Sequence, residues 1–313
     1  MSPAPKGAPL WGLEAFFASL QVRVEGPGLH PALCLSGPLG VGKRSLAFFL
    51  ARGFLCSSGK LGGCGSCASC QAVDQRRSDD LLVLERPLGK RFIPVSLVRE
   101  LLGAMQIFSK GGRGKVALIL GAETLNLEGQ NSLLKGLEEP EGGNRWILCT
   151  TRPEALLPTV RSRMEQLRIP LLSPATLQEA LVHIRGLPSA DAAFLSDLSG
   201  GSLGRALWVL DQLGDDWKES LLPLKECCEP GPGPDLVAAL EALLQKESGE
   251  GAASEKRLFL DTLLQFLTEI LRGAGRFEAC SKVLSARERL AQGIPLSPLL
   301  RHLSLDLQGQ VEA

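Results

Sequence analysis

The sequence predicts an α/β fold, a mainly parallel sheet covered by helices, followed by a region built of helices alone. Three observations predict it. Short apolar runs alternate with segments of helical period up to about residue 170. The turn after the first run is a glycine-rich loop of the form G-x4-G-K. No strand-like segment follows Pro170-Leu-Leu-Ser-Pro174.

The elements follow in order. Residues 32–36 form an apolar run that ends in the glycine-rich turn, and residues 45–54 carry apolar side chains at helical spacing. Residues 81–84 read as a strand and 95–105 as a helix. The continuous aliphatic stretch 115–120 reads as a buried strand. Residues 128–139 form a helix stopped by Pro140, and 146–150 and 166–169 are the last strands. Beyond Pro174, segments 173–184, 190–198 and 202–213 read as helices, the last with Ser202 as N-cap. The Gly-, Pro- and acid-rich stretch 229–235 reads as a loop, and 248–254 as a mobile connection. Residues 236–245, 255–271, 277–292 and 296–307 complete a helical C-terminal region.

Composition narrows the function classes. The 313 residues carry 34 basic and 34 acidic groups, so no bulk attraction to nucleic acid is expected. The balance is global but not local: residues 81–120 hold seven Lys/Arg against two Glu, while residues 215–256 hold four Lys against ten Asp/Glu. These read as solvated faces or as separate contact surfaces. No run of about 18 apolar residues exists, and residues 1–7 lack the apolar segment of a signal peptide, so a cytoplasmic protein without a membrane span is expected.

The loop Gly37-Pro-Leu-Gly40-Val-Gly42-Lys43-Arg44-Ser45 lies between an expected strand and an expected helix, the context of a phosphate-binding loop. Its glycines let backbone N–H groups approach phosphate oxygens, the helix N-terminus adds partial positive charge, and Lys43 adds a full one. The residue after the lysine is normally Ser or Thr, whose hydroxyl ligates Mg²⁺. Here it is Arg44, which has no lone pair to offer, and Ser45 comes one place late. The strand that would end in a metal-binding Asp ends in Leu120-Gly121 instead, with Glu123 beyond it. Losing both ligands removes charge neutralisation ordinarily worth several kcal/mol in the transition state. A nucleotide-site fold with little or no hydrolysis is expected.

Cys56, Cys64, Cys67 and Cys70 supply four thiolates within fifteen residues, including two Cys-x2-Cys bites. Four soft ligands fit tetrahedral structural Zn²⁺. An iron–sulfur cluster and free thiols are the alternatives. Cys34 and Cys149 fall inside strands and read as core residues, and Cys227, Cys228 and Cys280 as packing or surface thiols. Arg161 and Arg163 follow the strand at 146–150 and read either as surface arginines or as groups reaching a neighbouring subunit.

Taken together, the phosphate loop with its following four-cysteine insertion, Asn131-Ser-Leu-Leu-Lys-Gly-Leu-Glu-Glu-Pro140, the Cys149-Thr-Thr strand end, Arg161-Ser-Arg163 and Gly200-Gly-Ser-Leu-Gly-Arg-Ala-Leu207 resemble the bacterial clamp-loader family of the AAA+ superfamily, above all its delta-prime branch. The resemblance covers about residues 10–210. It implies an AAA+ module over residues 1–170 with a zinc module at 56–70, a helical lid at 171–214 and a collar domain at 215–313. It implies a largely non-hydrolysing stator that helps place the sliding clamp on primed DNA, as a subunit of the polymerase holoenzyme. Its partners would be the gamma/tau and delta subunits, with the clamp and primer–template DNA reached through the complex. The Arg of the family's Ser-Arg-Cys motif, an arginine finger acting in trans, matches Arg163, while Met164 replaces the Cys. The lid's sensing Arg is replaced by Gly204, and Arg205 stands one place off. Two other readings remain open: an active gamma/tau-like ATPase, and a zinc-containing nucleic-acid-binding module, against which stand the few aromatics and the zero net charge.

Overall fold

The structure, a computed structural model, describes residues 11–26, 28–87, 90–214, 217–226 and Phe277–Ala291, with single helical positions at 239, 260, 263, 264, 267, 268, 271, 298, 299, 302 and 303. The expected segments 229–235 and 248–254 and most of 236–245, 255–271 and 296–307 lie outside the described residues, as do residues 1–10, Cys227 and Cys228. The chain divides into two compact units, Met1–Pro170 and Leu171–Ala313.

In the first unit, β1 (Ala32–Ser36), β2 (Leu81–Glu85), β3 (Val116–Leu120), β4 (Arg145–Thr150) and β5 (Glu165–Arg168) form one parallel sheet in the order β2-β3-β4-β1-β5. Each strand begins within one residue of its apolar run. All five positions of β1 and of β3 are buried, which is why these strands read as continuous apolar stretches, whereas the edge strands β2 and β5 are half exposed.

The helices of this unit are α1 (Glu14–Glu25), α2 (Lys43–Leu55), α3 (Ala68–Asp74), α4 (Val95–Met105), α5 (Leu127–Glu138) and the single turn α6 (Pro158–Arg161). Right-handed crossovers decide which face each covers. The connections β2-α4-β3 and β3-α5-β4 run in one direction across the sheet, and Val98, Leu101, Leu133 and Leu137 pack with Cys34, Ile119, Trp146 and Leu148 on one face. The connection from β1 to β2 runs the other way, so α2, which meets β1, β3 and β4, covers the opposite face. The reversal at β1 opens a crevice at the strand C-termini between β1 and β4, the usual ligand position in such sheets.

The second unit contains α7 (Pro174–Arg185), α8 (Ser189–Ser199), α9 (Leu203–Leu213), α10 (Trp217–Glu226) and α11 (Phe277–Ala291) around a core that includes Leu177, Leu181, Leu195, Val209, Leu264 and Val283. Ser173 and Ser202 accept backbone N–H bonds from Thr176 and Arg205, capping α7 and α9.

Besides the single turn α6, three helices were not legible in the sequence. In α1 only Leu20 is fully buried, so its apolar residues trace no stripe. In α3 the cap is sulfur: the Cys67 side chain accepts from the Cys70 N–H. In α10 a proline, Pro223, lies inside the helix. No helix among the described residues is long and apolar enough to cross a membrane.

Candidate functional site

The crevice is entered by the loop after β1. Gly42 caps α2 at φ 95°, a left-handed conformation that a side chain would strain, and from it the first amides of α2 face the loop. Lys43 Nζ donates to the carbonyls of Gly37 and Pro38, both at 2.7 Å, which holds its charge over the loop. Ser45 lies half-buried in the first helical turn. Arg44 turns away to Glu85 at the end of β2, with Nη1 2.7 Å from Oε2. This pair is partly exposed and worth at most about 1 kcal/mol. The position after Lys43, where a hydroxyl is expected of a metal-binding loop, is thus held by a cation paired with a carboxylate.

At the neighbouring strand end the residues in the usual carboxylate position, Leu120 and Gly121, supply no ligand, while Glu123 beyond them keeps a buried Oε2 with no hydrogen-bond partner among the described residues. Leu120 is buried and Gly121 turns the chain at φ 71°. Glu123 sits in the following 3₁₀ turn, Ala122–Thr124, and accepts from the Thr151 hydroxyl at 2.6 Å and the Thr151 N–H at 3.3 Å. That carboxylate therefore ties the end of β3 to the loop after β4. Burial pushes the Cys34 thiol up to about 11 and the Cys149 thiol up to about 12, so both remain protonated, unreactive core groups.

Arg161, Ser162 and Arg163 follow from α6 into the turn before β5. Buried Val160 and Met164 pin this segment at either end, which accounts for an apolar residue at 164. Arg163 donates to the Thr159 carbonyl at 2.9 Å and pairs with Glu138 at the end of α5, and Arg161 is exposed. One positioning residue escaped the sequence reading. Buried Gln130 donates to the carbonyls of Leu125 and Ala155 and accepts from Leu157 N–H at 2.7 Å, fixing the entry to α6. Its signal is a glutamine on the apolar stripe shared with Leu133 and Leu137. In the second unit Arg205 is buried and donates to the Ser199 carbonyl at 2.8 Å, so it serves the end of α8.

The insertion between α2 and β2 gathers Cys56, Cys64, Cys67 and Cys70, whose sulfurs all lie within 4.8 Å of one another. Tetrahedral bonds of about 2.3 Å place sulfurs about 3.8 Å apart, and Cys56 and Cys67 are at 3.9 Å. Backbone amides already point at the sulfurs: Ser58 and Cys64 donate to Cys56 at 3.4 and 3.2 Å, and Cys67 donates to Cys64 at 3.4 Å. Burial raises the Cys56 thiol, but these donors and the Ser58 hydroxyl outweigh it and bring it to about 7. The Ser57 and Cys70 amides lower Cys67 to about 5, while burial takes Cys70 up to about 12. The donor set fits a four-thiolate metal ion. At Gly53 the loop meets α2 backbone to backbone: a Cβ there would stand 2.8 Å from Gly62 N, and the Arg52 side chain beside it bonds the Gly62 carbonyl and Asp74.

Comparison with known proteins decides the family. Residues 12–173 match the family model described as DNA polymerase III, delta subunit. The chain belongs to that family. It is 41% identical to DNA polymerase III subunit delta′ of Pseudomonas aeruginosa over 176 residues, covering 55% of this chain and 53% of that one. It is 31% identical to the delta′ subunit of Escherichia coli K12, covering 70% and 65%. Against DNA polymerase III subunit tau/gamma of Haemophilus influenzae it is 33% identical, covering 64% and 30%. The chain thus spans between about half and two thirds of the delta′ relatives it matches. The first unit is an α/β module, a parallel five-stranded sheet with a glycine-rich loop between β1 and α2.

Proposed function

We propose that this protein is a delta-prime-like stator of a DNA polymerase III clamp loader, a subunit that completes the active sites of its neighbours while hydrolysing little or no ATP itself. The observation that carries this reading is the loss of both metal ligands at an otherwise intact phosphate loop. Arg44 stands in the hydroxyl position and is held by Glu85, and Leu120-Gly121 stands at the strand end where a carboxylate is needed. Gly37, Gly40, Gly42, Lys43 and Ser45 would cradle the phosphates of any nucleotide bound there. Arg163 is the arginine that would reach a neighbouring ATPase subunit. Its anchorage through Gln130, Val160 and Met164 supports that role, because a finger must be positioned before it can stabilise charge. Contact with a neighbour would require Arg163 to exchange Glu138 for phosphate oxygens.

Cys56, Cys64, Cys67 and Cys70 would hold structural Zn²⁺, with all four positions filled by protein and none left open for catalysis. Residues 171–214 would form the lid and 215–313 the collar that joins gamma/tau and delta subunits, which together act on the clamp and on primer–template DNA. The test is ATPase activity of the pure chain, then of the chain mixed with gamma/tau and delta. Background turnover alone and hydrolysis on mixing are expected. Steady turnover by the solitary chain overturns the proposal.

A further inference from the structure

We infer that the edge of the first unit opposite the phosphate loop carries a second anion site, formed by Arg113 and Arg145 and suited to a phosphate-bearing ligand of up to mononucleotide size. A cavity of about 510 Å³ lies there, bounded by the connection into β1, the start of β4 and the turn before β3. It adjoins the N-terminal ends of these strands, whereas the phosphate loop follows the C-terminal end of β1. It is therefore separate from the nucleotide crevice. Its volume falls in the range of small-ligand pockets.

Both arginines face this space with their charges uncompensated. Among the described residues no carboxylate pairs with either guanidinium. Arg145 donates to the Leu29 carbonyl at 2.9 Å and lies 5.0 Å over the Phe54 ring. Arg113 donates to the Ser57 carbonyl at 2.7 Å. Each guanidinium carries five N–H donors in a fixed fork, so these carbonyls occupy only part of its capacity. Burial depresses the Arg145 guanidinium from its ordinary range, with no charged group acting on it. A desolvated cation is costly unless an anion accompanies it, and the fork geometry selects phosphate or carboxylate.

The backbone is cleared for that ligand. A Cβ at Gly59 would come within 3.3 Å of Arg113 Nη2, and a Cβ at Gly114 would strike the Gly143 carbonyl at 2.4 Å. Glycines thus let two turns meet beside the guanidinium. The lining combines Gly142 and Gly143 with an apolar wall of Val24 and Phe54, a pairing of charge and flat apolar surface that suits a phosphorylated base better than a bare carboxylate. The sequence offers no local motif for this site, because Arg113 lies in the turn before β3 and Arg145 opens β4, and the sheet brings them together.

The test is isothermal titration calorimetry of the full chain without Mg²⁺, using inorganic pyrophosphate and AMP, on wild type, Lys43→Ala, Arg113→Gln and Val24→Glu. The Arg113-dependent binding persists in Lys43→Ala, whatever the phosphate loop itself contributes. Arg113→Gln weakens binding roughly tenfold or more, as expected for loss of a charge-assisted contact. Val24→Glu places a carboxylate in the cavity, abolishes binding and raises the melting temperature of the ligand-free chain. AMP binding tighter than pyrophosphate assigns the apolar wall to a base, and the reverse order assigns the site to a bare phosphate. No saturable binding to wild type, or binding lost in Lys43→Ala and kept in Arg113→Gln, overturns the inference.

Discussion

Replacing Gly53 with Ala in α2 should destabilise the protein, although the same change inside a free helix is favourable by about 1 kcal/mol. The reason is the close approach of the cysteine loop. The added Cβ would stand 2.8 Å from Gly62 N and 2.9 Å from Lys60 O, distances that real Cβ atoms essentially never show. Both obstacles are backbone atoms and cannot rotate aside. The turn is closed by Gly63 N–H donating to the Lys60 carbonyl at 2.8 Å, and Arg52 holds the Gly62 carbonyl. Overpacking of this kind costs up to about 3 kcal/mol, so the net loss is about 2 kcal/mol. For a unit of this size that lowers the melting temperature by about 4–8 °C. Gly103 is the control: it is exposed on α4 with nothing within 4 Å of an added Cβ. Gly103→Ala should raise the transition by about 2–4 °C. Thermal melts of the three proteins, followed by circular dichroism in one buffer, check both signs. A Gly53→Ala protein melting above wild type would refute the packing argument.

The remaining expectations concern the sites. Metal analysis of the purified chain should find one zinc per chain, and Cys64→Ser or a chelator should expose residues 56–70 to proteolysis; a metal-free, protease-resistant wild type contradicts this. Arg163→Ala should leave the melting temperature nearly unchanged, since its pair with Glu138 is half exposed and worth at most about 1 kcal/mol, while slowing hydrolysis in the assembled loader. Unaltered hydrolysis in that assembly removes the finger role. At pH 8, with thiols held near 11 and 12, Cys34 and Cys149 should resist alkylation in the native protein and react only on unfolding, as mass spectrometry of tryptic peptides will read. Rapid native labelling of either would show that its strand opens.

Much of the first unit was legible because its physics is local. A strand buried on both faces must be apolar along nearly its whole length; β3 is throughout, and β1 is as far as Ser36. A phosphate loop must carry glycines and a lysine between a strand and a helix, and the four cysteines fall close enough in sequence to meet around one ion whatever the rest of the chain does. The helix α1 was hidden because burial at one position leaves no period to detect, and α3 because a thiol is not among the usual capping groups.

Residue types and short spacings alone determined the α/β character of the first 170 residues, the thiolate cluster and the want of a metal ligand at 44 and 120. Chemistry that depends on which atoms exist can be read before anything folds. Only the tertiary structure decided the strand order, the docking of the cysteine loop through Gly53 and Gly62, the partners of Arg44, Glu123 and Arg163, and the meeting of Arg113 with Arg145. Each of these joins residues nine to more than forty positions apart. Crossover handedness and close packing, acting over the whole sheet, choose such neighbours, and no window of sequence contains them.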